Sequence, residues 1–178
     1  MGDPKRQRKK YSGPRHPWEK ERIEEEKSLK AEYGFKNKKE IWKMRSLFKR
    51  FKNQAKQLIA LKREQAEKEK SQLLGRLARI GLIQPGGDIN AVLGLSFRSL
   101  LDRRLQTMLM KRGLARTVKQ ARQFIVHGHV KVSDKKITSP SYIVRVSEEP
   151  MISFSQGSSL SKADHPERAK ESKENGKE

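Results

Sequence analysis

Cysteine is absent from this 178-residue chain, and acidic residues are scarce beside basic ones, at 21 against 42. Without cysteine the chain has no disulfide and no thiolate metal ligand, which suits a reducing compartment. Apolar residues make up only 33% of the chain. No apolar run approaches the ~18 residues that a membrane span needs. We therefore expect no membrane-spanning segment, and a core that uses only part of the chain.

The net charge of +21 at pH 7 is unevenly distributed. Residues 36–70 hold thirteen basic and four acidic residues, and residues 98–154 hold twelve and four. Residues 23–35 are net negative, whereas residues 155–178 carry five charges of each sign. Because such a surplus repels itself, it indicates a polyanionic partner, with nucleic acid as the first candidate and an anionic membrane as the second.

Residues 1–22 combine many cations with glycine and proline, a composition that predicts an extended basic arm rather than a folded core. Trp18 lies among these cations, where it either stacks on nucleic-acid bases or holds the arm against its own protein. Both interpretations of Trp18 stay open. The arm residues that we expect to contact nucleic acid are Arg6, Arg8, Lys9, Lys10 and Arg15.

Helical patterns follow the arm. Residues 23–33 predict a short helix that ends at Gly34, and Asn37 with Glu40 fits a capping box. Apolar residues then recur every three or four positions, which predicts one amphipathic helix to about Lys70 and a second short helix over 71–84. The apolar stripe of the long helix predicts core packing. Its other faces carry the cations that we expect to contact nucleic acid: Lys43, Arg45, Lys49, Arg50, Lys52 and Lys56.

The segment after residue 96 changes period partway along. A helix over about 97–112 ends at Gly113, and Thr117 with Gln120 forms a second capping box before a helix to about Val126. From Val130 onward, apolar and polar residues alternate, which predicts strands over 130–137, 142–144 and 151–154. The two helices would form a hairpin that packs on a small antiparallel sheet.

The text RRLQTMLMKRGLARTVKQARQFIVHGHVKV resembles the alpha-L RNA-binding domain over about residues 98–154. The segments PRHPWEKERIEEEK, KNKKEIWKMRS and LLDRRLQT outside that text extend the likeness. Together they resemble the small-subunit ribosomal protein four family in its archaeal form. The resemblance covers all but about the last two dozen residues and implies an α+β fold: a basic arm with a short helix (1–35), a helical domain (36–97) and the alpha-L domain (98–154). The remaining residues are net neutral and have no apolar period, which predicts a disordered tail (155–178).

The resemblance implies that the hairpin and its sheet grip folded RNA, and the side chains there suit that role. Gln120 and Gln123 can read sugar hydroxyls or base edges, and Thr117 caps a helix end with free amide donors. Of His127 and His129, we expect one to pack and the other to contact RNA. No metal or other cofactor is expected, since too few ligands accompany the two histidines. The expected phosphate ligands are Arg104, Arg116, Lys119, Arg122 and Lys131.

The leading hypothesis is a non-enzymatic protein of the small ribosomal subunit that binds its RNA early in assembly and stabilises a multi-helix junction. Two alternatives stay open: an accessory module of an RNA-modifying enzyme, and a non-ribosomal RNA-binding regulator. The resemblance further implies a cytoplasmic location, a contact with small-subunit protein five and a part in translational accuracy. No membrane and no small-molecule substrate are expected as partners.

Overall fold

The computed structural model describes residues 2, 9, 11–61, 64–162 and 165–167. Helices dominate these ranges, and a three-stranded antiparallel sheet accompanies them, which confirms the α+β class. Within the described ranges, no helix combines the length and apolarity that crossing a bilayer requires. The helices are α1 Lys20–Tyr33, α2 Lys38–Ala60, α3 Glu64–Ile80, α4 Ile89–Gly94, α5 Phe97–Asp102, α6 Leu105–Lys111 and α7 Val118–Val126. The strands are β1 Val130–Val132, β2 Lys135–Lys136 and β3 Ile152–Phe154, and 3-10 turns lie at Val146–Met151 and Ser159–Ser161.

The first five helices share one core and form what we call the helical unit. The apolar stripe of α2 lies at its centre, as predicted, and buries Ile41, Phe51 and Leu58. Helices α1, α3, α4 and α5 all pack against α2. Leu77 of α3 is fully buried in the same core. The long helix therefore acts as the central support of this unit, and its remaining faces stay available for solvent or a partner.

The prediction of one unbroken helix to about Lys70 is wrong. Helix α2 ends at Ala60, where Leu61 adopts an extended conformation, and α3 begins at Glu64. The break lets α3 fold back, so that Leu73 and Leu77 pack against the stripe of α2. A straight helix would carry these leucines away from the core, and their burial outweighs the local preference for helix.

The remaining elements share a second core and form the C-terminal unit. Helices α6 and α7 make the predicted hairpin, with Gly113 in the left-handed region at φ 70°. The hydroxyl of Thr117 accepts a hydrogen bond from the Gln120 amide at 3.2 Å, which confirms Thr117 as the N-cap. The other half of the predicted capping box is not formed, because the Gln120 side chain accepts from the Arg116 amide instead. The sheet order is β2-β1-β3, and both outer strands run antiparallel to β1.

Two regular elements that the sequence predicts here are interrupted. The helix predicted over 97–112 is split, because the Leu105 amide donates to the Tyr142 carbonyl at 2.8 Å and the Val144 amide donates to the Arg103 carbonyl at 2.9 Å. Residues 142–144 accordingly pair with the helix break at Arg104 instead of forming a strand of the sheet. The break places the side chain of Arg104 between the two units.

The tail begins later than predicted. Residues 155–162 pack against the C-terminal unit, whose core buries Leu160, and the Ser155 amide donates to the His129 carbonyl at 2.8 Å. A disordered tail from Ser155 onward is therefore wrong for these eight residues. A single leucine in a polar stretch shows no periodicity, so its burial leaves no pattern in the sequence. Residues 163, 164 and 168–178 of the predicted tail lie outside the described residues.

Replacing Leu160 with alanine should lower the free energy of unfolding by about 2–5 kcal/mol, because it opens a cavity in the second core. Val126→Ala is the matched control, since Val126 is exposed on α7 and its loss should cost within about 0.5 kcal/mol. Urea denaturation of both variants and the parent measures the difference. Equal midpoints for Leu160→Ala and the parent would show that residues 155–162 add nothing to the fold.

Candidate nucleic-acid interface

The two units meet around one carboxylate, that of Glu40 near the start of α2. Arg122 of α7 donates two hydrogen bonds to it, at 3.1 Å and 2.7 Å. Arg104, which is 1% exposed, places its Nη2 atom 3.6 Å from a Glu40 oxygen and its guanidinium carbon 4.2 Å from the Phe35 ring centre. Two cations from the C-terminal unit thus share one anion of the helical unit.

Electrostatics at this contact follow from burial and from the pairing. Burial lowers the pKa of Arg104 to about 10, although the charge of Glu40 opposes that shift. Burial alone would raise the pKa of Glu40, but the hydrogen bonds and charge of Arg122, with a further contribution from Arg104, lower it below its usual 4.5. Glu40 is therefore ionised at neutral pH and holds both arginines.

A buried amide reinforces the same contact. The side chain of Gln106, fully buried on α6, donates to the Val118 carbonyl at 2.9 Å and to the Gly34 carbonyl at 3.3 Å. Gly34 itself is left-handed, at φ 60°, and a Cβ there would lie 2.9 Å from the Gln106 amide nitrogen and from a Val118 methyl group. The close approach of the two units therefore depends on glycine at this position.

These contacts correct part of the predicted RNA surface. Arg104 cannot reach a phosphate, because it is buried and paired inside the protein. The fork of Arg122, predicted to grip RNA, is occupied by Glu40. The predicted capping box at Asn37 is also wrong, because the Glu40 side chain turns to the arginines and the Asn37 side chain makes no cap hydrogen bond. Sequence spacing missed this cluster because its members are far apart along the chain.

At the start of α7, some of the predicted RNA-binding side chains are exposed, and others form hydrogen bonds within the protein. Lys119 is exposed, as is Thr117. Gln120, however, accepts from the Arg116 amide and donates to the Glu167 carbonyl, both at 2.8 Å. The Arg116 guanidinium donates to the Pro166 carbonyl at 2.9 Å. Residues 165–167 thus lie across this helix end, and RNA contact by Arg116 or Gln120 would have to displace them.

The two histidines after α7 differ in their surroundings. His129 is half-buried, packs edge-on against Phe124 and lies 2.8 Å from the Ser158 hydroxyl through Nδ1. His127 is exposed and stacks beside His129, with 6.2 Å between ring centres. His129 therefore takes the packing role, and RNA contact by His127 stays a prediction, as it does for the exposed Gln123. Among the described residues, no group of three or more histidines and carboxylates could hold a metal ion.

The sheet adds cations on its outer face. Lys131 of β1 is half-buried and pairs in register with Lys136 on one side and Ser153 on the other. The alternate residues Val130 and Val132 point into the core. Because side chains alternate across a strand, Lys131 must face away from that core, where contact with a phosphate remains a prediction.

The predicted cations of α2 fall into two groups, those that pack against other side chains and those that are exposed. Arg45 is half-buried, 3.3 Å from a Glu25 oxygen and 5.8 Å from the Phe97 ring centre, and Lys52 lies 4.8 Å from the Phe48 ring centre. These two side chains support the fold. The remaining four are exposed and are available to a polyanion: Lys43, Lys49, Arg50 and Lys56.

The arm folds back on α2 at its inner end. Tyr11 packs on Trp42, with 6.3 Å between ring centres, and the Ser12 amide donates to the Ser46 hydroxyl at 3.1 Å. Trp18 is 90% exposed and does not hold the arm in place, so Tyr11 has that role. Lys9 and Arg15 are exposed, and the other predicted arm cations, Arg6, Arg8 and Lys10, lie outside the described residues.

Comparison with known proteins agrees with this architecture. A family model described as "S4 domain" matches residues 103–149. A protein of Methanococcus aeolicus named "Small ribosomal subunit protein uS4" is 50% identical over 169 residues, which cover 94% of this chain and 96% of that protein. Proteins of the same name from Methanothermobacter thermautotrophicus and Methanococcus maripaludis are each 48% identical, covering 91% and 94% of this chain and 95% of each relative.

Removing the shared anion should weaken the fold strongly. Glu40→Ala leaves Arg104 buried without a counter-charge, which should lower the free energy of unfolding by about 3–5 kcal/mol. Glu25→Ala is the control, because it breaks the exposed pair with Arg45 and should cost about 0–1 kcal/mol. Denaturant unfolding compares the two. Equal losses in the two variants would contradict a special role for Glu40.

The same carboxylate should make stability depend on pH. Because the pKa of Glu40 is lowered in the folded state, its stabilising contribution is complete above the unfolded pKa and is lost as pH falls through the folded pKa. The stability difference between the parent and Glu40→Gln should therefore shrink as pH falls below 4.5, the usual pKa of the group. Unfolding curves at a series of acid pH values test this, and a difference that stays constant would contradict it.

Proposed function

Since the chain belongs to the uS4 family of small-subunit ribosomal proteins, we propose that it is a structural component of the small ribosomal subunit that binds small-subunit ribosomal RNA directly. The S4 domain match covers the α6–α7 hairpin and the first two strands, where the cations of the C-terminal unit lie. The observation that carries the proposal is that both units present exposed cations while they meet at the contact around Glu40.

Phosphate binding is the chemistry that these side chains offer. Lys43, Lys49, Arg50 and Lys56 extend along α2, and Lys119 and Lys131 extend from the C-terminal unit. Lysine and arginine neutralise phosphates and release counterions from the RNA, which supplies affinity without reading sequence. Recognition would then come from shape, since only an RNA with phosphates at the right relative positions meets both units together.

That geometry suits a junction. Two RNA helices that leave a junction at a fixed angle would each meet one unit, and the contact around Glu40 would resist a change in that angle. We infer that the protein acts early in assembly, because holding a junction helps the later folding of neighbouring RNA. A contact with small-subunit protein five, a part in translational accuracy and a cytoplasmic location complete this proposal on the basis of the family resemblance.

A structural role is better supported than the alternatives. The alignments cover 96%, 95% and 95% of the length of the three ribosomal relatives. An accessory module would instead match a small part of a larger enzyme. A non-ribosomal regulator would not be expected to align with ribosomal proteins over more than nine-tenths of its length, as this chain does. Binding to small-subunit ribosomal RNA, unrelated structured RNA and duplex DNA across a salt series distinguishes these functions, because only the proposed role predicts a preference for the ribosomal RNA at every salt concentration.

The exposed cations of α2 should contribute independently to that binding. Replacing Lys49 and Arg50 with alanine should reduce the slope of log affinity against log salt by about 0.7–0.9 per lost phosphate contact, with the fold unchanged. Lys68→Ala with Arg79→Ala on α3 removes the same charge from a helix that we assign no RNA contact. Filter binding at several salt concentrations gives both slopes. Equal slopes for the two double variants would remove α2 from the RNA surface.

A further inference from the structure

A groove between the two units collects lysines that the sequence pattern did not single out. It has a volume of about 460 Å³ and lies where the end of α1 and the following loop approach the start of α7. Lys27, Lys30 and Lys36 line it from the helical unit, and Lys119 lines it from the C-terminal unit. Phe35 and Arg122 also line the groove. We call this site the lysine groove.

The lysines on α1 are unexpected, because residues 23–35 are net negative. The structure sorts the charges by face. Each acidic residue of that segment pairs away from the groove: Glu24 with Lys20 at 4.0 Å, Glu25 with Arg45 at 3.3 Å, Glu26 with Arg22 at 2.8 Å and Glu32 with Arg98 at 3.5 Å. Lys27 and Lys30 are three residues apart and so share one side of the helix, which faces the groove.

No carboxylate of the described residues forms an ion pair with these lysines. Among the described residues, Lys27, Lys30, Lys36 and Lys119 belong to no ion pair, and all four are exposed. The nearby charge of Arg122 is already balanced by Glu40, through bonds at 3.1 Å and 2.7 Å. Arg122 therefore forms part of the wall rather than a binding group, and the four lysines provide the unbalanced positive charge.

We propose that the lysine groove binds the phosphodiester backbone of RNA where it crosses from one unit to the other. This inference rests on the proposed function and names a part of its RNA surface. The groove offers ammonium groups without arginine forks, which suits phosphate rather than base edges. A strand seated there would contact both units, so RNA binding would reinforce the same contact that Glu40 makes inside the protein.

The test replaces the two lysines of α1. Lys27→Ala with Lys30→Ala should reduce the salt slope for small-subunit ribosomal RNA by about 1.4–1.8 and weaken binding severalfold near physiological salt, if each lysine meets one phosphate. The fold should be unchanged, because both side chains are exposed and alanine favours helix. Lys20→Ala with Lys68→Ala is the control of equal charge outside the groove, and it should keep the parent slope.

A second measurement does not depend on variants. Acetylation of the parent protein with and without bound small-subunit ribosomal RNA, followed by peptide mass spectrometry, should show protection at Lys27, Lys30, Lys36 and Lys119 but not at Lys68. Charge-preserving Lys27→Arg with Lys30→Arg should retain binding. Equal slopes for the groove variant and its control, or equal acetylation of the groove lysines with and without RNA, would overturn the groove assignment.

Different results would contradict the groove assignment and the proposed function. If the parent prefers small-subunit ribosomal RNA while the groove variant binds as tightly as the control, the groove is wrong and the proposed function stands. If the parent shows no preference for that RNA over unrelated structured RNA, the proposed function is wrong, whatever the groove variant does. A groove that binds an acidic protein segment instead of RNA would give the first of these results.

Discussion

The carboxylate of Glu40 is the interaction on which the rest of the arrangement depends. A buried arginine is costly unless an anion accompanies it, and Arg104 is almost fully buried beside Phe35. Glu40 supplies that anion from the other unit and also binds the fork of Arg122. The break between α5 and α6, where the chain pairs with residues 142–144, places Arg104 within reach of Glu40. A contact inside the protein, between Glu40 and the two arginines, therefore holds the two cationic surfaces together.

The chain has only half as many acidic as basic residues, and the positions of the acidic residues decide which surfaces stay positive. Glu25 and Glu26 form ion pairs within the helical unit, and Glu40 pairs with Arg104 and Arg122 of the C-terminal unit. Each pair removes an anion that would repel phosphate from the surface nearby. The cations that remain outside these pairs repel one another, which destabilises the folded state. Binding a polyanion relieves that repulsion. RNA binding should accordingly stabilise the folded state, since a ligand that binds only the folded chain shifts the equilibrium toward it.

Local features of this protein were predictable from sequence, and contacts between distant segments were not. The Thr117 cap, the turn at Gly113 and the strand alternation around Val130 depend on residues that are close along the chain, so their patterns are visible in it. The break after Ala60 and the docking of Leu160 depend on burial against remote segments, which leaves no periodic signal. The predicted RNA surface failed for the same reason at Arg104: residue type indicated a phosphate ligand, whereas the environment, which only the fold defines, made it a structural cation.

The division between arginine and lysine follows from their chemistry. Among the described residues, at least seven arginines are in ion pairs with carboxylates but only three lysines are, namely Lys20, Lys38 and Lys111. The planar guanidinium fork matches a carboxylate and loses less hydration on burial, so it suits fixed internal contacts. The ammonium of lysine is a strongly hydrated point charge on a flexible stem, and it can follow a phosphate backbone without a set orientation. Arginine therefore predominates in the internal contacts, and lysines make up most of the cations that we propose as phosphate ligands. Selectivity would then reside in the angle between the two units, since point charges on flexible stems discriminate between RNAs only through the positions at which a rigid scaffold holds them.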